Sequence, residues 1–314
     1  MNKEQILVLG ANGQIGTVLT AELRKLYGND NVLATDIQKV ALHNGPFEQL
    51  DILNAQRLEE VVRKRRIAQI YHLAAILSAR GEQNPKWAWD INMTGLFNVL
   101  ETAKTHNCRV FFPSSIAVFG AQAPANDTPQ HAVLQPSTVY GISKVAGELW
   151  CKYYFDKYGV DVRSVRYPGI IGYQSLPGGG TTDYAVDIFH KALQGQVFEC
   201  FLSADTCLPM MYMPDAIRAT LELMAAPTAH VTMRTSYNIA GTSFTPADIH
   251  AAIQTYMPDF QIVYKPDFRQ AIAESWPHSV DDAEARRDWG WQPEYDLKRM
   301  TQDMLDNLRA AALK

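Results

Sequence analysis

The sequence has few of the residues and patterns that accompany metals, disulfides or membranes. Its 314 residues include four cysteines without a C-x-x-C pair, and eight scattered histidines without ligand spacing. We therefore expect neither a zinc site nor a disulfide framework. No apolar run reaches the roughly 18 residues that a membrane span requires, so no membrane partner is expected.

An excess of charge of one sign is absent as well. The chain has 29 basic and 33 acidic side chains and a net charge of −4, which argues against nucleic acid as a partner because nucleic-acid binders present a basic patch. Its first residues, Met1-Asn2-Lys3-Glu4, run directly into an apolar stretch at 6–9 with no small-residue cleavage site, so export is not expected. Since 47% of the residues are hydrophobic and 20% are charged, we expect a globular cytoplasmic protein.

Short apolar runs alternate with longer helical patterns in the first half of the chain. Strands are predicted at 6–9, 31–35, 70–74, 109–114 and 162–167, and helices at 15–26, 57–65, 91–106 and 138–158. This alternation is typical of βαβ units and a parallel sheet. After residue 172 a loop, Pro177-Gly178-Gly179-Gly180, precedes a helix at 185–193, a helix beginning at 213, a strand at 237–240, and short pieces separated by prolines.

A glycine-rich motif joins the first predicted strand to the first predicted helix, with the sequence Gly10-Ala11-Asn12-Gly13-Gln14-Ile15-Gly16. Glycines at this place allow a tight turn, close approach of a pyrophosphate and close helix packing, while the helix N-terminus faces the phosphates. The spacing is G-x-x-G-x-x-G rather than G-x-G-x-x-G, and the alternative is a plain strand–helix turn. The motif predicts dinucleotide binding by Gly10, Asn12, Gly13, Gln14, Ile15 and Gly16.

Asp36 ends the second predicted strand, twenty residues after Gly16. A carboxylate at this place accepts hydrogen bonds from both adenosine ribose hydroxyls and repels a 2′-phosphate. The next two residues offer no arginine for that phosphate, although Lys39 is close. NAD is therefore favoured over NADP; an ordinary capping aspartate is the alternative. A weaker signal, Asp51-Ile52, follows a third strand-like stretch and points to the adenine edge.

These patterns predict an α/β fold, a Rossmann-type doubly wound parallel sheet with a smaller C-terminal substrate-binding lobe. We place the NAD-binding domain at 1–172, with segments near 212–245 returning to it. The smaller lobe occupies 173–314, and a cleft lies between the two.

The sharpest catalytic pattern is Tyr140-Gly141-Ile142-Ser143-Lys144. Tyr140 and Lys144 are four residues apart, so they lie on one face of the predicted helix. An ammonium beside a phenol stabilises the phenolate and lowers its pKa from about 10 toward neutrality, which suits a base that removes an alcohol proton. Ser115, at the end of the preceding strand, is expected to hydrogen-bond the reacting oxygen. A surface aromatic–cation pair is the alternative.

Taken together, these motifs resemble the extended short-chain dehydrogenase/reductases over essentially the whole chain. The resemblance includes His72-Leu73-Ala74-Ala75, Asn92-Met93-Thr94-Gly95 and the C-terminal Trp289-Gly290-Trp291-Gln292-Pro293. It implies that Leu73, Ala74 and Ala75 pass the cofactor ribose and that Tyr167 also lies at the cofactor. It further implies that Lys144 holds the nicotinamide ribose and that Asn92 supports the proton relay; a helix-start cap is the other reading of Asn92.

The segment after the last predicted strand narrows the substrate. Arg166-Tyr167-Pro168-Gly169-Ile170-Ile171-Gly172 lacks the Asn and final Pro usual in nucleotide-sugar epimerases and dehydratases. With residues 176–185 it resembles the threonine-oxidising branch of the family, which implies oxidation of L-threonine by NAD to 2-amino-3-oxobutanoate. The implied threonine site comprises Ser78, Ser115, Tyr140, Gly178, Thr181 and Asp183.

Simpler readings and other functions remain open at this point. Gly178–Gly180 could be a flexible surface loop, Asp183 a helix N-cap, and Trp276 either a shield of the closed site or a core residue. The rival functions are a nucleotide-sugar epimerase or dehydratase and a non-catalytic dinucleotide sensor. The family resemblance also implies a homodimer in which helices near 92–106 and 140–158 form a four-helix bundle.

Overall fold

The structure is a computed structural model that describes residues 4–39, 44–178 and 180–312. Its strands are β1 (Gln5–Leu9), β2 (Val32–Asp36), β3 (Phe47–Gln49), β4 (Ile67–His72), β5 (Arg109–Ser115), β6 (Val162–Tyr167), β7 (Gly169–Ile171), β8 (Phe198–Cys200), β9 (Leu208–Tyr212), β10 (Tyr237–Asn238), β11 (Thr242–Phe244) and β12 (Ile262–Tyr264). Its α-helices are α1 (Gln14–Tyr27), α2 (Ala55–Arg65), α3 (Ser78–Gln83), α4 (Pro85–His106), α5 (Val139–Tyr158), α6 (Tyr184–Leu193), α7 (Met213–Ala225), α8 (Pro246–Gln254), α9 (Phe268–Ala273), α10 (Ala283–Trp289) and α11 (Leu297–Ala312).

Seven strands form one sheet in the order β10-β6-β5-β4-β1-β2-β3, with neighbouring strands parallel. The chain builds outward from β1 to β3 on one side and then crosses to β4, β5 and β6 on the other. This is the strand order of a Rossmann fold, and the predicted α/β class is confirmed. In such a sheet the direction of winding reverses between β1 and β4, and ligands bind in the crevice at the carboxyl ends of the strands there.

Alternate residues of the central strands face two helical layers. Ile6 and Val8 of β1 pack with α1 and α7, whereas Leu7 and Leu9 pack with α2, α4 and α5. The alternation follows from the two-residue period of a strand. Both faces of the sheet are therefore buried, which explains why most residues of β1 and β4 are apolar.

A second group of elements follows β6. Strand β9 pairs with β7 in parallel and with β11 in antiparallel orientation, and β12 pairs with β8. Helices α6, α8 and α11 contribute to a third apolar cluster, which also includes residues 116–119. Strand β10 lies at the edge of the large sheet beside β6, so the chain crosses between the two groups more than once.

The structure differs from the predicted elements mainly at helix starts and in the last third of the chain. Helix α4 begins at Pro85 rather than 91, and its N-cap is Asn84, whose side chain accepts a hydrogen bond from the Trp87 N–H. Asn92 therefore lies inside the helix, and the reading of Asn92 as a helix-start cap is wrong. The strand predicted at 70–74 runs from Ile67 to His72.

In the described ranges 4–39, 44–178 and 180–312, no helix is both long and apolar enough to cross a membrane. No group of three or more His, Cys, Asp or Glu side chains in these ranges is arranged to hold a metal ion.

Candidate active site

A cleft of about 1090 Å³, including its open mouth, lies at the carboxyl ends of β1, β4, β5 and β6. The predicted site residues that line it are Gly10, Gly13, Gln14, Ile15, Gly16, Leu73, Ala75, Ser78, Ser115, Tyr140, Lys144, Tyr167, Thr181 and Asp183. Those that do not line it are Asn12, Asp36, Asp51, Ile52, Ala74, Asn92 and Gly178. Gly179, which was predicted with the glycine loop, lies outside the described residues.

The glycine turn after β1 leaves no room for side chains. Gly10 has φ +81°, and a Cβ on it would lie 2.7 Å from the Ala74 nitrogen. A Cβ on Gly16 would lie 2.2 Å from the Gly10 carbonyl oxygen. Gly13 precedes α1, so the amide groups at the start of that helix face the cleft. Glycine at positions 10 and 16 is therefore required for the close packing of the turn, and the exposed amides at the helix start fit a cofactor pyrophosphate.

Asp36 lies beside this turn and fixes it. One carboxylate oxygen accepts a hydrogen bond from the Asn12 N–H (3.0 Å) and the other accepts one from the Gln38 N–H (3.0 Å). The carboxylate thus holds the glycine turn as well as carrying the negative charge expected at the adenosine ribose.

Asp51 and Ile52 lie outside the cleft. Asp51 is exposed, and its carboxylate accepts a hydrogen bond from the Leu53 N–H (2.9 Å). Ile52 is buried, and its side chain fills the space beside Gly95 in α4. In this structure Asp51 therefore stabilises the local turn and Ile52 packs against α4, and their role in binding adenine remains a prediction.

Ser115, Tyr140 and Lys144 meet where β5 and α5 come together. The Thr138 hydroxyl caps α5 by accepting a hydrogen bond from the Gly141 N–H (3.1 Å), and Tyr140 lies in the first turn of this helix. The Ser115 hydroxyl lies within hydrogen-bonding reach of the Tyr140 phenol. One helical turn further, the Lys144 ammonium donates to the Pro113 carbonyl (2.6 Å), with its nitrogen 5.4 Å from the centre of the Tyr140 ring.

The electrostatics of this group differ from the sequence-based expectation. Burial raises the pKa of the Tyr140 phenol from its usual value to about 12, although the hydrogen bond from Ser115 lowers it. Burial lowers the pKa of the Lys144 ammonium to about 8. In the protein without bound NAD, burial of both groups outweighs the expected effect of Lys144 on the Tyr140 pKa. The lowering expected when Lys144 and a bound nicotinamide cation act together stays a prediction.

Asn92 connects two segments of the site without touching the cleft. Its side-chain oxygen accepts a hydrogen bond from the Ile76 N–H (2.8 Å), and its amide nitrogen donates to the Ile76 carbonyl (3.1 Å). The same nitrogen donates to the Ser143 hydroxyl (3.2 Å), which in turn donates to the Tyr140 carbonyl (2.7 Å). Asn92 thus ties the segment after β4 to the first turn of α5.

The substrate side of the cleft is built from α3 and from the segment before α6. The hydroxyl oxygens of Ser78 and Thr181 are 3.5 Å apart, and both residues are buried. Asp183 occupies the N-cap position of α6, as the alternative reading had it, and its carboxylate accepts a hydrogen bond from the Gly180 N–H (2.7 Å) rather than from an N–H of the helix. The Gly180 N–H is therefore not directed at a ligand carboxylate, as a nest around Gly178–Gly180 would require.

Trp276 and Tyr167 line the cleft and also contact other parts of the fold. Trp276 lines the cleft and also belongs to the third apolar cluster, so it is a core residue, and its role as a shield of the closed site stays a prediction. Tyr167 lines the cleft, but its hydroxyl hydrogen-bonds with the Thr220 hydroxyl in α7. Its ring, rather than its hydroxyl, is therefore available to a ligand.

The sequence reasoning missed several lining residues. Ser114 lines the cleft beside Ser115, and the serine pair at the end of an apolar strand was the available signal. Gly169 and Thr182 also line it, and a Cβ on Gly169 would lie 2.6 Å from the Thr182 side chain. This contact joins residues from β7 and from the segment before α6, and no local pattern indicates it.

The glycine turn on a parallel sheet, with a Ser–Tyr–Lys group at the strand ends, defines a dinucleotide-dependent enzyme of the short-chain dehydrogenase/reductase type. A model of the NAD dependent epimerase/dehydratase family matches residues 6–240, and the chain belongs to that family. NAD is accordingly its cofactor.

Relatives refine this assignment. A protein of Staphylococcus saprophyticus described as an uncharacterized epimerase/dehydratase is 49% identical over 308 residues, which cover 96% of each chain. A solved structure of a GalE-like L-threonine dehydrogenase from Cupriavidus necator, in its holo form, is 57% identical with a TM-score of 0.96 and covers 97% of this chain and 99% of its own. A monomeric L-threonine 3-dehydrogenase from a metagenome is 48% identical with a TM-score of 0.96, covering 98% and 99%.

Proposed function

We propose that this protein oxidises the 3-hydroxyl of L-threonine with NAD and forms 2-amino-3-oxobutanoate. The observation that carries the proposal is that one cleft brings together the Ser115–Tyr140–Lys144 group and the Ser78–Thr181 pair. The first group suits removal of an alcohol proton, and the second offers hydroxyls to a small polar substrate. The names of the similar L-threonine dehydrogenases support this substrate.

In the proposed reaction Tyr140 takes the proton of the substrate 3-hydroxyl and Ser115 holds the reacting oxygen. NAD, when bound, supplies the hydride acceptor and a positive charge. Lys144 contributes a second positive charge close to the phenol. Because burial raises the Tyr140 pKa, the two positive charges together are what favour the phenolate in the proposed reaction. The base is a side chain, so the reaction does not require a metal-bound hydroxide.

The proposed substrate contacts follow from the buried hydroxyls. Ser78 and Thr181 together receive the carboxylate of threonine, because each can donate one hydrogen bond and they lie 3.5 Å apart. Asp183 pairs with the substrate ammonium through the carboxylate that also accepts the Gly180 N–H. Gly178, by the family resemblance, completes the proposed threonine site.

For the cofactor we propose that the glycine turn holds the pyrophosphate, with Gly10, Gly13 and Gly16 as its closest residues. Asp36 receives the ribose hydroxyls, and Leu73, Ala74 and Ala75 pass along the sugar. Asn92 holds that segment by its two hydrogen bonds to Ile76.

We also propose that the chain forms two domains, one for the cofactor and one for the substrate. Residues 1–172 bind NAD, with residues 212–245 returning to that domain, and 173–314 form the lobe that binds substrate. Helix α7, which packs with β1, and strand β10, which pairs with β6, support the return. We further propose a cytoplasmic location, since the four cysteines are free thiols, as in proteins of a reducing compartment.

The second candidate is a nucleotide-sugar epimerase or dehydratase. It is favoured by the matched family and by the description of the Staphylococcus saprophyticus relative. Such an enzyme returns its hydride within the same catalytic cycle, so it forms no net NADH.

The experiment is to follow NADH at 340 nm with NAD and chelator, offering L-threonine, D-threonine, L-allo-threonine, L-serine and UDP-glucose in parallel. Chelator-insensitive turnover of L-threonine supports the proposal. Conversion of the UDP-sugar without net NADH, together with no reaction of threonine, would instead establish the second candidate. No reaction with any substrate would contradict both.

Tyr140→Phe tests the assignment of the base. We expect turnover to fall by about a thousandfold or more, because general-base catalysis contributes roughly 10²–10⁴-fold. NAD affinity, measured by quenching of protein fluorescence, should stay within about twofold. Near-normal turnover of this variant would assign the base to another group.

A further inference from the structure

Three residues of α5 form a row that faces the end of β5. Tyr140, Lys144 and Glu148 are spaced by four residues, so they lie above one another on one side of the helix. The first two belong to the candidate active site. Glu148 is nearly fully buried, with 1% of its side chain exposed, and has no role in the proposed chemistry.

Each member of the row contacts one of three consecutive β5 residues. The Tyr140 phenol lies within hydrogen-bonding reach of the Ser115 hydroxyl, and Lys144 donates to the Pro113 carbonyl (2.6 Å). Between these two contacts, the Ser114 hydroxyl donates to Glu148 (2.6 Å). The last three residues of the strand are therefore attached to the helix one by one.

Glu148 itself is held in place from the next strand. The Arg166 guanidinium donates to both of its carboxylate oxygens, at 2.9 and 2.8 Å. Arg166 also donates to the Gln130 carbonyl and the Asn238 side chain, both at 3.0 Å, and its guanidinium lies over the Phe119 ring. A buried bidentate ion pair of this kind restricts the relative orientation of its partners, so the positions of the Glu148 carboxylate oxygens are fixed.

The helix and strand have little freedom to adjust to one another. A Cβ on Gly147 would lie 2.5 Å from the Phe112 ring, and one on Gly141 would lie 2.2 Å from the Ala117 carbonyl oxygen. At such close packing a change at Ser114 is transmitted to its neighbour Ser115 rather than absorbed.

We propose that Glu148 is a positioning residue for proton transfer: through Ser114 it holds the end of β5 in the place that aligns Ser115 with Tyr140. This inference rests on the proposed function, since it takes Ser115 and Tyr140 to be the reacting groups. Arg166 acts behind Glu148 by fixing its carboxylate. The charged and titratable groups that face this region are Lys144 and Cys151 on α5, Arg166 on β6 and His72 on β4.

The test uses Ser114→Ala, which removes the link and leaves the Glu148–Arg166 pair intact. We expect turnover of L-threonine to fall about tenfold, because sub-ångström misplacement of reacting groups slows catalysis. KM for threonine and the Kd for NAD should stay within about twofold.

Ser164→Ala is the matched control: it removes a buried serine hydrogen bond, to Ser236 (2.9 Å), one strand away. Its turnover should stay within about twofold of wild type, with a similar change in Tm.

Glu148→Gln provides the second variant, since its amide oxygen still accepts from Ser114 while the charge is lost. We expect lower Tm but a smaller loss of turnover in the folded protein than in Ser114→Ala. Equal loss of turnover in Ser114→Ala and Ser164→Ala, or none in either, overturns the positioning role.

Crystal structures of wild type and Ser114→Ala test the inference without any substrate. A Ser115–Tyr140 oxygen distance longer by about 0.5 Å or more supports the inference, since that is the tolerance of a working site. An unchanged distance overturns it. If the wild type does not oxidise L-threonine, the proposed function fails, and this structural comparison still decides the positioning.

Discussion

His72 is a buried imidazole at the end of β4, and its environment makes it a determinant of acid stability. Burial, with a further contribution from the charge of Lys144, lowers the pKa of His72 to about 3. The side chain is therefore neutral in the folded protein at pH values where the unfolded chain binds a proton. Its contribution to stability is fully present above the usual histidine pKa of about 6.5 and is lost as the pH falls toward 3.

This gives a pH-dependent prediction. Between pH 7.5 and 5.5 the wild type should lose about 1.4 kcal/mol more of its free energy of unfolding than His72→Asn, which has no group to titrate there. Urea unfolding of both proteins at the two pH values measures this difference. Parallel losses would mean that His72 takes up a proton in the folded state.

A second prediction concerns the two hydroxyls that face the substrate. Ser78→Ala and Thr181→Val should each raise KM for L-threonine about tenfold, with a smaller effect on kcat, because each loses a hydrogen bond to a charged group worth roughly 1.5 kcal/mol or more. The double variant should raise KM by less than the product of the two effects, since neighbouring groups on one ligand atom are coupled. Full additivity would show that the hydroxyls do not share the carboxylate.

At the scale of residues, the sequence predicted which side chains form the candidate site better than it predicted the surroundings that set their pKa values. The four-residue spacing of Tyr140 and Lys144 was sufficient to predict their shared helix face. The raised pKa of Tyr140 was not predictable, because desolvation depends on what the fold places around the ring. The link from Asn92 to Ile76 joins residues sixteen apart, and no pattern in the sequence specifies it.

At the scale of elements, the distance between α5 and β5 sets the geometry of the site. Gly147→Ala places a methyl group within 2.5 Å of the Phe112 ring, so the helix must move outward. We expect lower turnover and lower Tm, despite the gain of about 1 kcal/mol in helix propensity from glycine to alanine. Thermal unfolding and kcat for L-threonine are the measurements.

The matched control is Gly95→Ala in α4. Its Cβ meets only the Ile52 side chain, at 3.1–3.2 Å, and a small shift of that side chain relieves the contact. We expect turnover within about twofold of wild type and an unchanged or higher Tm. If both variants behave alike, the close approach of α5 to β5 does not control the site.

The elements themselves were predictable where local signals agree. The ends of β6 were predicted as observed. The ends of α5 were predicted to within one residue, because its apolar period, the capping Thr138 and the C-terminal Gly159 all mark the same boundaries. The start of α4 was missed because exposed tryptophans in its first turns hide the helical period. The short elements after residue 240 are defined by pairing with distant segments, which a local pattern does not contain.

At the scale of the whole molecule, α5 presents an unpaired apolar surface. Leu149, Trp150 and Tyr153 are 59%, 38% and 40% exposed, and the Trp150 ring stacks edge-on against Phe97 of α4. We propose that this surface pairs with a second copy of the chain. Leu149→Glu should then halve the mass seen by light scattering, whereas Val263→Glu, at another exposed apolar site, should not change it. A monomeric wild type, as in the similar metagenome enzyme, would contradict the dimer.

The sequence predicted the parallel sheet, but it did not predict which strands pair in the last third of the chain. Alternating strands and helices specify a parallel sheet, and right-handed crossovers leave few arrangements for it. The sequence predicted that segments near 212–245 return to the first domain, but nothing local indicates that β10 pairs with β6 while β11, a few residues later, pairs with β9. Those pairings decide which residues of the last third of the chain face the cleft.

The two hydrogen bonds accepted by Asp36 have a consequence for engineering a preference for the phosphorylated cofactor. Neutralising this carboxylate removes the repulsion of a 2′-phosphate, but it also releases the Asn12 and Gln38 amides that it holds. Selectivity and loop order therefore reside in one side chain. A redesign that replaces Asp36 with a residue unable to accept these hydrogen bonds would loosen the phosphate cradle, so a successful one must supply a neutral acceptor, such as asparagine, at position 36.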